Sequence, residues 1–349
     1  MPVRTLWQDK YCIEQTASLT ANPTFAATAI GIEGDGATGG IFLMPLTDHP
    51  HLKPSTGTVE NELAVGESTR RSLEYNQTIS QPGTVTLNML ANAYNSSLFI
   101  WLLLQSGCSE ADATVNTLTG IPYTSPDPEI YAAVTRILGG TAGNADAVSQ
   151  YMVGCICNSL TFSGETGGIL TLSAEIMAAD HAIANNDLGT VSWSALTFSD
   201  KAPLKFQDMT FELDGTAVDT PSFSMTITNG ATAQFYNNGT IQRYVLGRIN
   251  VEGTFSIPFG DSNEGGNEQI TDFKAGTDMT AEFYWGSDAA LTENSLALQS
   301  NIRFTDTEMA DAEGEIVTSC PFAGVNDGTN AAVGLLAGYT NASLDRGTP

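Results

Sequence analysis

Few residues of this chain are placed to do chemistry, and the best candidate nucleophile is Ser262. The run Gly260–Asn263 reads Gly-Asp-Ser-Asn and follows an apolar strand pattern, an arrangement that would suit the nucleophile of a serine esterase. That reaction needs a histidine to take the serine proton, and no histidine follows His181 in the sequence. The run therefore favours a turn. A serine esterase built on Ser262 is the enzymatic alternative, which activity assays of Ser262→Ala would test.

Metal and phosphate chemistry has equally weak candidates. His49 and His51 flank a proline, but no further acidic or cysteine ligand stands at a suitable spacing, so we expect an exposed loop pair. His181 follows an acid after a strand, and we expect it in a surface turn. The glycine-rich run Gly31–Gly40 carries two acids that would repel a phosphate, and it lacks the ligand spacing of a helix–loop–helix calcium site. The sequence predicts no catalytic, cofactor-binding or metal-binding residue, and no enzyme.

The cysteines predict thiols and not disulfides. Their number is odd, they are widely spread, and no Cys-x-x-Cys pair occurs, which argues against a zinc site or a redox motif. An odd count in a large domain indicates buried free thiols in a reducing compartment. The five positions are Cys12, Cys108, Cys155, Cys157 and Cys320.

The charge balance excludes a second class of function. The 349 residues include 13 Lys and Arg against 39 Asp and Glu, a formal net charge of −26. Tight binding of nucleic acid depends on cations that displace counterions from phosphates, and this chain has few. One interpretation of the acidity is solubility or a salt-rich habitat, the other is a surface that repels DNA instead of binding it, and both can hold.

The elements that would position any site are mostly strands. Short alternating segments lie between turn signals, and glycine, threonine and serine are abundant. The predicted strands are Ser159–Ser163, Gly168–Met177, Met209–Leu213, Ser222–Thr228 and Arg248–Phe259. The predicted helices are Ser96–Ser106, capped by Ser96 or Ser97 and stopped at Gly107; Asn267–Lys274, capped by Asn267 and stopped at Gly276; and Pro128–Leu138.

An internal repeat suggests two modules. Gly83–Met89 reads GTVTLNM and Gly253–Phe259 reads GTFSIPF, and each is followed at a similar distance by a predicted helix and then by a strand pair. Chance similarity between β sequences is the alternative. We predict a first module over residues 1–198 with a long, weakly periodic loop at 31–74, a second module over 199–323, and a loop-like C-terminal tail over 324–349.

The sequence shows no sign of a membrane segment. The first twenty residues lack an apolar core of signal-peptide length, and the strongest apolar run, Leu98–Leu104, is far too short to cross a bilayer. We expect a protein made in the cytoplasm with no membrane partner.

Two stretches resemble a known family. Tyr151–Met177 is similar to the strand–turn–strand pair of siphovirus tail tube proteins. The segments Pro203–Gly215, Ser222–Gly230 and Gly247–Phe259 are similar to the downstream half of the same family, including the Asn-Gly turn at Asn229. The order matches over roughly residues 75–305, and the succession of motifs carries the resemblance.

The resemblance implies a virion protein with a mainly β fold of two tandem β-sandwich modules and a few short helices. Such subunits assemble as stacked rings around a channel for DNA, and a chain with two modules is expected to form homotrimers that imitate a six-fold ring. Neighbouring tail proteins and a tape-measure protein in the lumen are the implied partners, DNA passes without specific binding, and the loop at 31–74 would reach the next ring. Acids lining the lumen would repel DNA. The alternatives are a ligand-binding β-sandwich surface protein and a ring protein of a contractile injection machine.

Overall fold

The protein is mostly β. The computed structural model describes residues 10–16, 18–20, 41–52, 55–60, 76–81, 83–105, 116–119, 128, 131–138, 148–185, 202–235, 241–259, 266–286, 295–312, 315–325 and 334–338. The strands of the first half are β1 (Lys10–Thr16), β2 (Ile41–Leu43), β3 (Ser55–Glu60), β4 (Asn76–Gln81), β5 (Gly83–Leu90), β6 (Asn116–Thr119), β7 (Tyr131–Leu138), β8 (Val148–Glu165), β9 (Thr171–Ala178) and β10 (Asp180–Asn185).

The second half continues the pattern. Its strands are β11 (Met209–Leu213), β12 (Thr216–Ala217), β13 (Ser222–Thr228), β14 (Thr232–Phe235), β15 (Ile241–Val245), β16 (Asn250–Pro258), β17 (Asp278–Trp285), β18 (Ser295–Phe304), β19 (Glu308–Ala312), β20 (Glu315–Gly324) and β21 (Gly334–Gly338). The described helices are α1 (Ala93–Leu104), α2 (Gly266–Ala275) and a short 3-10 helix, Phe206–Asp208. The predicted fold class, mainly β with a few short helices, is confirmed.

The strands pair antiparallel in one large sheet system and two separate hairpins. The long strand β8 takes part in two sheets, because its first part pairs with β7 and β10 and its second part pairs with β9 and β13. Between the two parts Gly154 has a φ of +60°, and an added Cβ would lie 2.3 Å from the carbonyl oxygen of Leu19. Only glycine fits this bend.

Six neighbouring strands form the wall on which the site is built, in the order β5-β9-β8-β13-β16-β20. Their residues alternate between a buried apolar face and a polar face, as the pattern iBiBiBi (half-buried and buried in turn) of β13 illustrates. The apolar face packs into a core that joins both halves of the chain, with Phe162, Phe223 and Phe255 among its fully or almost fully buried rings.

Helix α1 begins earlier than predicted. Asn92 and Asn95 cap it reciprocally, since each backbone N–H donates to the side-chain oxygen of the other at 2.8 Å. The predicted caps Ser96 and Ser97 therefore lie inside the helix, and its C-terminal end is marked by Gln105 with a φ of +53°.

Helix α2 lies within a residue of its predicted bounds. It ends as predicted at Gly276, which has a φ of +66°. The N–H of Gly276 donates to the carbonyl of Phe273 and that of Thr277 to Asp272, which satisfies two terminal carbonyls.

The third predicted helix is wrong. Tyr131–Leu138 forms β7, which pairs along its length with β1 on one side and β8 on the other. Residues 132–136 are all buried, so both faces of this strand are covered. A strand in the middle of a sheet gains ladder hydrogen bonds and packing on both faces, and this outweighs the helical signals of its alanines and flanking proline.

Two regions predicted as loops contain strands. The segment 31–74 includes β2, paired with β1, and β3, paired with β4 in a hairpin of its own. The predicted C-terminal tail includes β21, which is paired with both β18 and β6. These short strands are specified by their partners, which local periodicity does not reveal.

The two halves of the chain pair their strands in the same order. In the first half β1 pairs with β7, β7 with β8, β8 with β9 and β10, and β9 with β5. In the second half β11 pairs with β17, β17 with β18, β18 with β20 and β21, and β20 with β16. The hairpin β3–β4 precedes β5 as the hairpin β14–β15 precedes β16, and α1 and α2 follow at the same point.

Asn229 joins the halves. Its side-chain amide donates to the carbonyl oxygens of Leu103 at 3.1 Å and Cys157 at 2.7 Å, and its Oδ1 accepts from the N–H of Ala231. Asn229 is completely buried, so its amide, and not water, satisfies the hydrogen bonds of these backbone groups. One side chain of the second half thus satisfies a helix end and a strand of the first.

Candidate functional site: a hydroxyl-lined wall with open edges

The polar face of the six-stranded wall is a continuous polar surface, and we call it the hydroxyl face. Its residues are exposed or half-buried. They are Thr84, Thr86, Asn88 and Leu90 on β5; Thr171, Ser173 and Glu175 on β9; Ser159, Thr161, Ser163 and Glu165 on β8; Ser222, Ser224, Thr226 and Thr228 on β13; Asn250, Glu252, Thr254 and Ser256 on β16; and Ser319, Pro321 and Ala323 on β20.

The registers place these side chains in rows that cross all six strands. One row runs from Asn88 through Ser173, Thr161, Thr226 and Glu252 to Ala323. The row crosses from β8 to β13, and therefore from the first half of the chain to the second, without a break. The wall is a single continuous surface.

Hydrogen bonds between neighbouring hydroxyls hold the rows together. The Oγ1 atoms of Thr161 and Thr226 lie 2.9 Å apart across the joint between the halves. The hydroxyls of Ser163 and Thr171 lie 2.7 Å apart. Ser173 donates to the Oδ1 of Asn88 at 2.7 Å. Cross-strand hydroxyl pairs of this kind stabilise a sheet. The short side chains of these pairs hydrogen-bond to each other across the strands.

The hydroxyl face carries no Lys or Arg at any of its described positions, and its charges are the carboxylates of Glu165, Glu175 and Glu252. A phosphate backbone that passes this surface meets no cation to bind. The three carboxylates repel it over about 10 Å at 0.1 M salt. The surface is therefore chemically suited to let DNA pass.

Both ends of the wall have an edge with no partner among the described strands. At one end the outer edge of β19 is open, since β20 is the one described strand that pairs with β19. At the other end the segment Met44–Asp48 lies against β5: Leu46 forms a bridge with Met89, and the N–H of Thr47 donates to the carbonyl of Asn88 at 2.8 Å. Unpaired strand edges invite another chain to add a strand.

The other candidate sites resolve as follows. Ser262 and the run Gly31–Gly40 lie outside the described residues. His181 is half-buried within β10, so the predicted surface turn is wrong. His49 and His51 are exposed as predicted. No cluster of three or more possible metal ligands occurs among the described residues.

The segment that carries His49 and His51 is fastened to the sheet. The hydroxyl of Tyr11 donates to the carbonyl of Pro50 at 3.0 Å, and the guanidinium of Arg136 lies 3.1 Å from the Nδ1 of His51. Arg136 also stacks over the ring of Tyr11 at 5.7 Å. A cation beside the His51 nitrogen opposes metal binding there, so we interpret the pair as structural.

The described cysteines are free and buried, as the sequence predicts. Burial raises the pKa of the Cys12, Cys155 and Cys320 thiols to about 12, and it also raises the pKa of Cys157. A neutral, enclosed thiol is a poor nucleophile and a poor metal ligand. We therefore interpret these cysteines as packing residues of the hydrophobic core.

A broad polar wall whose outer edges have no partner among the described strands suits a structural, self-assembling class of β protein. The profile of the family described as Phage tail tube protein matches residues 13–335, and the chain belongs to this family. It is a structural protein of the virion, the major tail tube subunit, and it assembles with itself and other tail proteins into a hollow tube for genome passage. No match was found among curated proteins. No helix in the described part of the chain is long and apolar enough to cross a membrane.

The sequence contains a signal for the hydroxyl face that is easy to overlook. Every second residue of SFSMTIT in β13 and of SLTFS in β8 is Ser or Thr. Alternation alone predicts a half-buried strand. The chemistry of the surface becomes clear only when the registers place these hydroxyls side by side.

Proposed function

We propose that three copies of this chain close into a ring, that each copy contributes two tandem modules, and that the hydroxyl face lines the channel. The observation that carries the proposal is the joint between β8 and β13. There the last wall strand of the first half pairs with the first wall strand of the second half over seven residue pairs, Ser159–Glu165 with Ser222–Thr228.

The matched pairing order supports the two-module organisation. In each half a strand before the helix pairs with the second strand of a later hairpin: β5 with β9 of the β8–β9 hairpin, and β16 with β20 of the β19–β20 hairpin. In the first half the free edge of β8 is taken by β13. In the second half β19 stands at the same place, and its outer edge has no partner among the described strands. Pairing of β19 with the Met44–Asp48 edge of a neighbouring copy would repeat the internal joint between chains.

Repeating one joint around an axis gives a closed ring. A head-to-tail contact closes when its rotation divides the circle evenly. The internal joint and the joint between chains would alternate, so three copies would supply six similar contacts. Closure also removes both unpaired edges, which otherwise risk uncontrolled association.

The orientation of the hydroxyl face can be tested by labelling. Both variants are made in a Cys108→Ser background: Thr226→Cys is at a half-buried position on that face, and Thr210→Cys is at an exposed position on β11, outside it. After each variant is labelled with biotin and assembled into tubes, streptavidin is too large to enter a channel of DNA width. We expect streptavidin to bind both labelled monomers but not the tubes of Thr226→Cys. Decoration along the length of those tubes would contradict the proposal.

The stacking of rings and the type of tail are also proposals. The hairpin β3–β4 forms a two-stranded sheet of its own, which suits an arm that reaches the next ring. The resemblance of Tyr151–Met177 to siphovirus subunits supports a long, non-contractile tail with a tape-measure protein in the lumen. Electron micrographs of the virion test both points, since a contractile sheath around the tube would contradict the second.

We also propose that the subunit has no catalytic activity. The assembly role needs no reaction, and the chain offers Ser262 no later histidine. Esterase assays of the wild type and Ser262→Ala should give the same background rate. A rate that falls with the substitution would overturn this.

A further inference from the structure

A short sequence motif occurs twice, each time directly before one of two matched strands. Residues 1–9 read MPVRTLWQD and residues 202–208 read APLKFQD. Both contain a proline, an aliphatic residue and a basic residue, and both end with an aromatic residue followed by Gln-Asp. β1 begins immediately after the first copy and β11 immediately after the second. The first copy is longer by two residues, Thr5 and Leu6.

The second copy of the motif is bound to the first half of the chain. The N–H of Leu204 donates to the carbonyl of Ala91 at 2.9 Å, and its own carbonyl accepts from Leu170 at 2.9 Å. Lys205 forms a bridge with Ile169, two residues before β9 begins. The motif therefore lies as a short extra strand over the end of β5 and the turn of the β8–β9 hairpin.

The aromatic residue of the second motif copy, Phe206, also covers this end of the first half's core. Phe206 is 5% exposed, and its N–H donates to the carbonyl of Gly168 at 3.1 Å. The ring stacks on Phe223, with centroids 6.1 Å apart. A Cβ at Gly164 would lie 2.6 Å from this ring, so any larger residue at that position of the hairpin would clash with Phe206. Leu204 and Phe206 thus seal one end of the first half's core.

The equivalent end of the second half is uncovered. Aligning the repeat GTVTLNM with GTFSIPF equates Met89 with Phe259, and the strand registers extend the match. They equate the hairpin residues Leu172 with Ile316 and Leu160 with Met309. The exposed fractions for these pairs, first half then second, are 1% and 39% for Met89 and Phe259, 1% and 55% for Leu172 and Ile316, and 0% and 55% for Leu160 and Met309.

We infer that residues 2–9 of a neighbouring copy bind this uncovered end, in the way that residues 203–208 bind the first half within the chain. Phe259, Ile316 and Met309 form the apolar surface. Val3 takes the place of Leu204 and Trp7 the place of Phe206. The inference rests on the proposed ring, because it extends the same internal joint to the contact between copies.

The order of the halves selects a second copy as the occupant. The motif before the second half covers the half that precedes it in the chain. By the same relation, the motif before the first half covers the half that precedes it around the ring, which is the second half of the neighbour. The exposed apolar residues then become buried only on assembly, which couples subunit contact to completion of the core.

Cross-linking between two different single-cysteine proteins tests the inference. In a Cys108→Ser background, Val3→Cys protein is mixed with Ile316→Cys protein and treated with a short bismaleimide, while the described native thiols are buried. We expect a covalent dimer of one chain of each kind. The matched control pairs Val3→Cys with Thr232→Cys, an exposed position on the β14–β15 hairpin, and should stay monomeric.

A second variant tests the energetics. Trp7→Ala should leave the unfolding curve of the monomer unchanged and raise the protein concentration needed for assembly about tenfold or more. A cross-link equally strong to Thr232→Cys, no cross-link to Ile316→Cys, a link within one chain in the Val3→Cys, Ile316→Cys double variant, or unchanged assembly of Trp7→Ala would each overturn the inference.

The outcomes separate this inference from the proposed function. If the wild type forms closed rings but Val3→Cys and Ile316→Cys do not cross-link between copies, the proposed ring is retained and the binding of residues 2–9 to a neighbouring copy is rejected. If the wild type forms no ring at any concentration, the proposed function itself falls.

Discussion

The hairpins β8–β9 and β19–β20 occupy the same place in the two halves of the chain, yet one is covered and the other is not. In the first half β8 runs without interruption for 18 residues, pairs with β13 and is sealed by Phe206. In the second half the same path is split into β18 and β19, and the outer edge of β19 has no partner in the described chain. The chain thus contains one complete joint, β8 paired with β13, and two open strand edges, one at β19 and one at residues 44–48. A head-to-tail ring requires such a pair of open edges, because each copy contacts the next through them.

The largest contrast should come from the same substitution at matched positions. Leu160→Asp places an unpaired charge in the core of the first half, which should cost about 4 kcal/mol or more and prevent folding. Met309→Asp, at an exposed position, should fold normally and instead hinder assembly. Circular dichroism and chemical denaturation measure the first effect, and sedimentation the second. Equal unfolding of both variants would remove the difference between the two hairpins.

Removal of the seal should cost less. Phe206→Ala deletes a ring that fills the space above Gly164, and we expect a loss of about 3–5 kcal/mol in the free energy of unfolding. Phe235→Ala, at a 38% exposed position, is the matched control and should change stability by about 0.5 kcal/mol at most. Urea denaturation of the two variants measures the difference. Similar values for both would show that the linker does not seal the core.

Removal of the buried Asn229 amide at the joint between the halves should lower the free energy of unfolding moderately. Asn229→Ala removes the donor to Leu103 and Cys157 and leaves those carbonyls without that partner, at a cost of about 1–3 kcal/mol. Asn250→Ala, exposed on the hydroxyl face, is the control and should be close to neutral. Denaturation curves of both decide this, and a neutral Asn229→Ala would show that the amide does not hold the halves together.

The smallest expected effect is on how the free energy of unfolding depends on pH. Burial raises the pKa of the Cys320 thiol to about 12, whereas the unfolded thiol ionises near its ordinary value of about 8.5. The unfolded state therefore loses protons first, and stability falls between those two values by up to about 1.4 kcal/mol per pH unit. Cys320→Ala should lose about 1 kcal/mol less than the wild type between pH 9 and pH 10. Parallel slopes for the two proteins would contradict the assignment.

The sequence predicted the regular part of this fold well. Met209–Leu213 and Ser222–Thr228 are strands with the predicted bounds, and α2 ends at the predicted Gly276. Each has a local signal, either alternation along a strand or a glycine where the backbone needs a positive φ. The predicted helix Pro128–Leu138 is wrong because the strand β7 depends on partners at both edges, which no local pattern encodes.

The site was predictable only in outline. Acidity and the absence of catalytic constellations indicated a surface that does not bind DNA, but the hydroxyl rows depend on registers between strands far apart in sequence, such as Thr161 and Thr226. The exposed side chains of Met309 and Ile316 look like ordinary strand residues in the sequence. Their significance emerges from comparison with Leu160 and Leu172, which need the fold to be matched.

End-on electron microscopy of the purified, assembled protein tests the central claim most directly. The account predicts closed rings of three copies, with six similar modules around an open channel and β19 of each copy beside residues 44–48 of the next. Particles that remain single at every salt and protein concentration, or rings in which the β19 edge faces solvent, would contradict it.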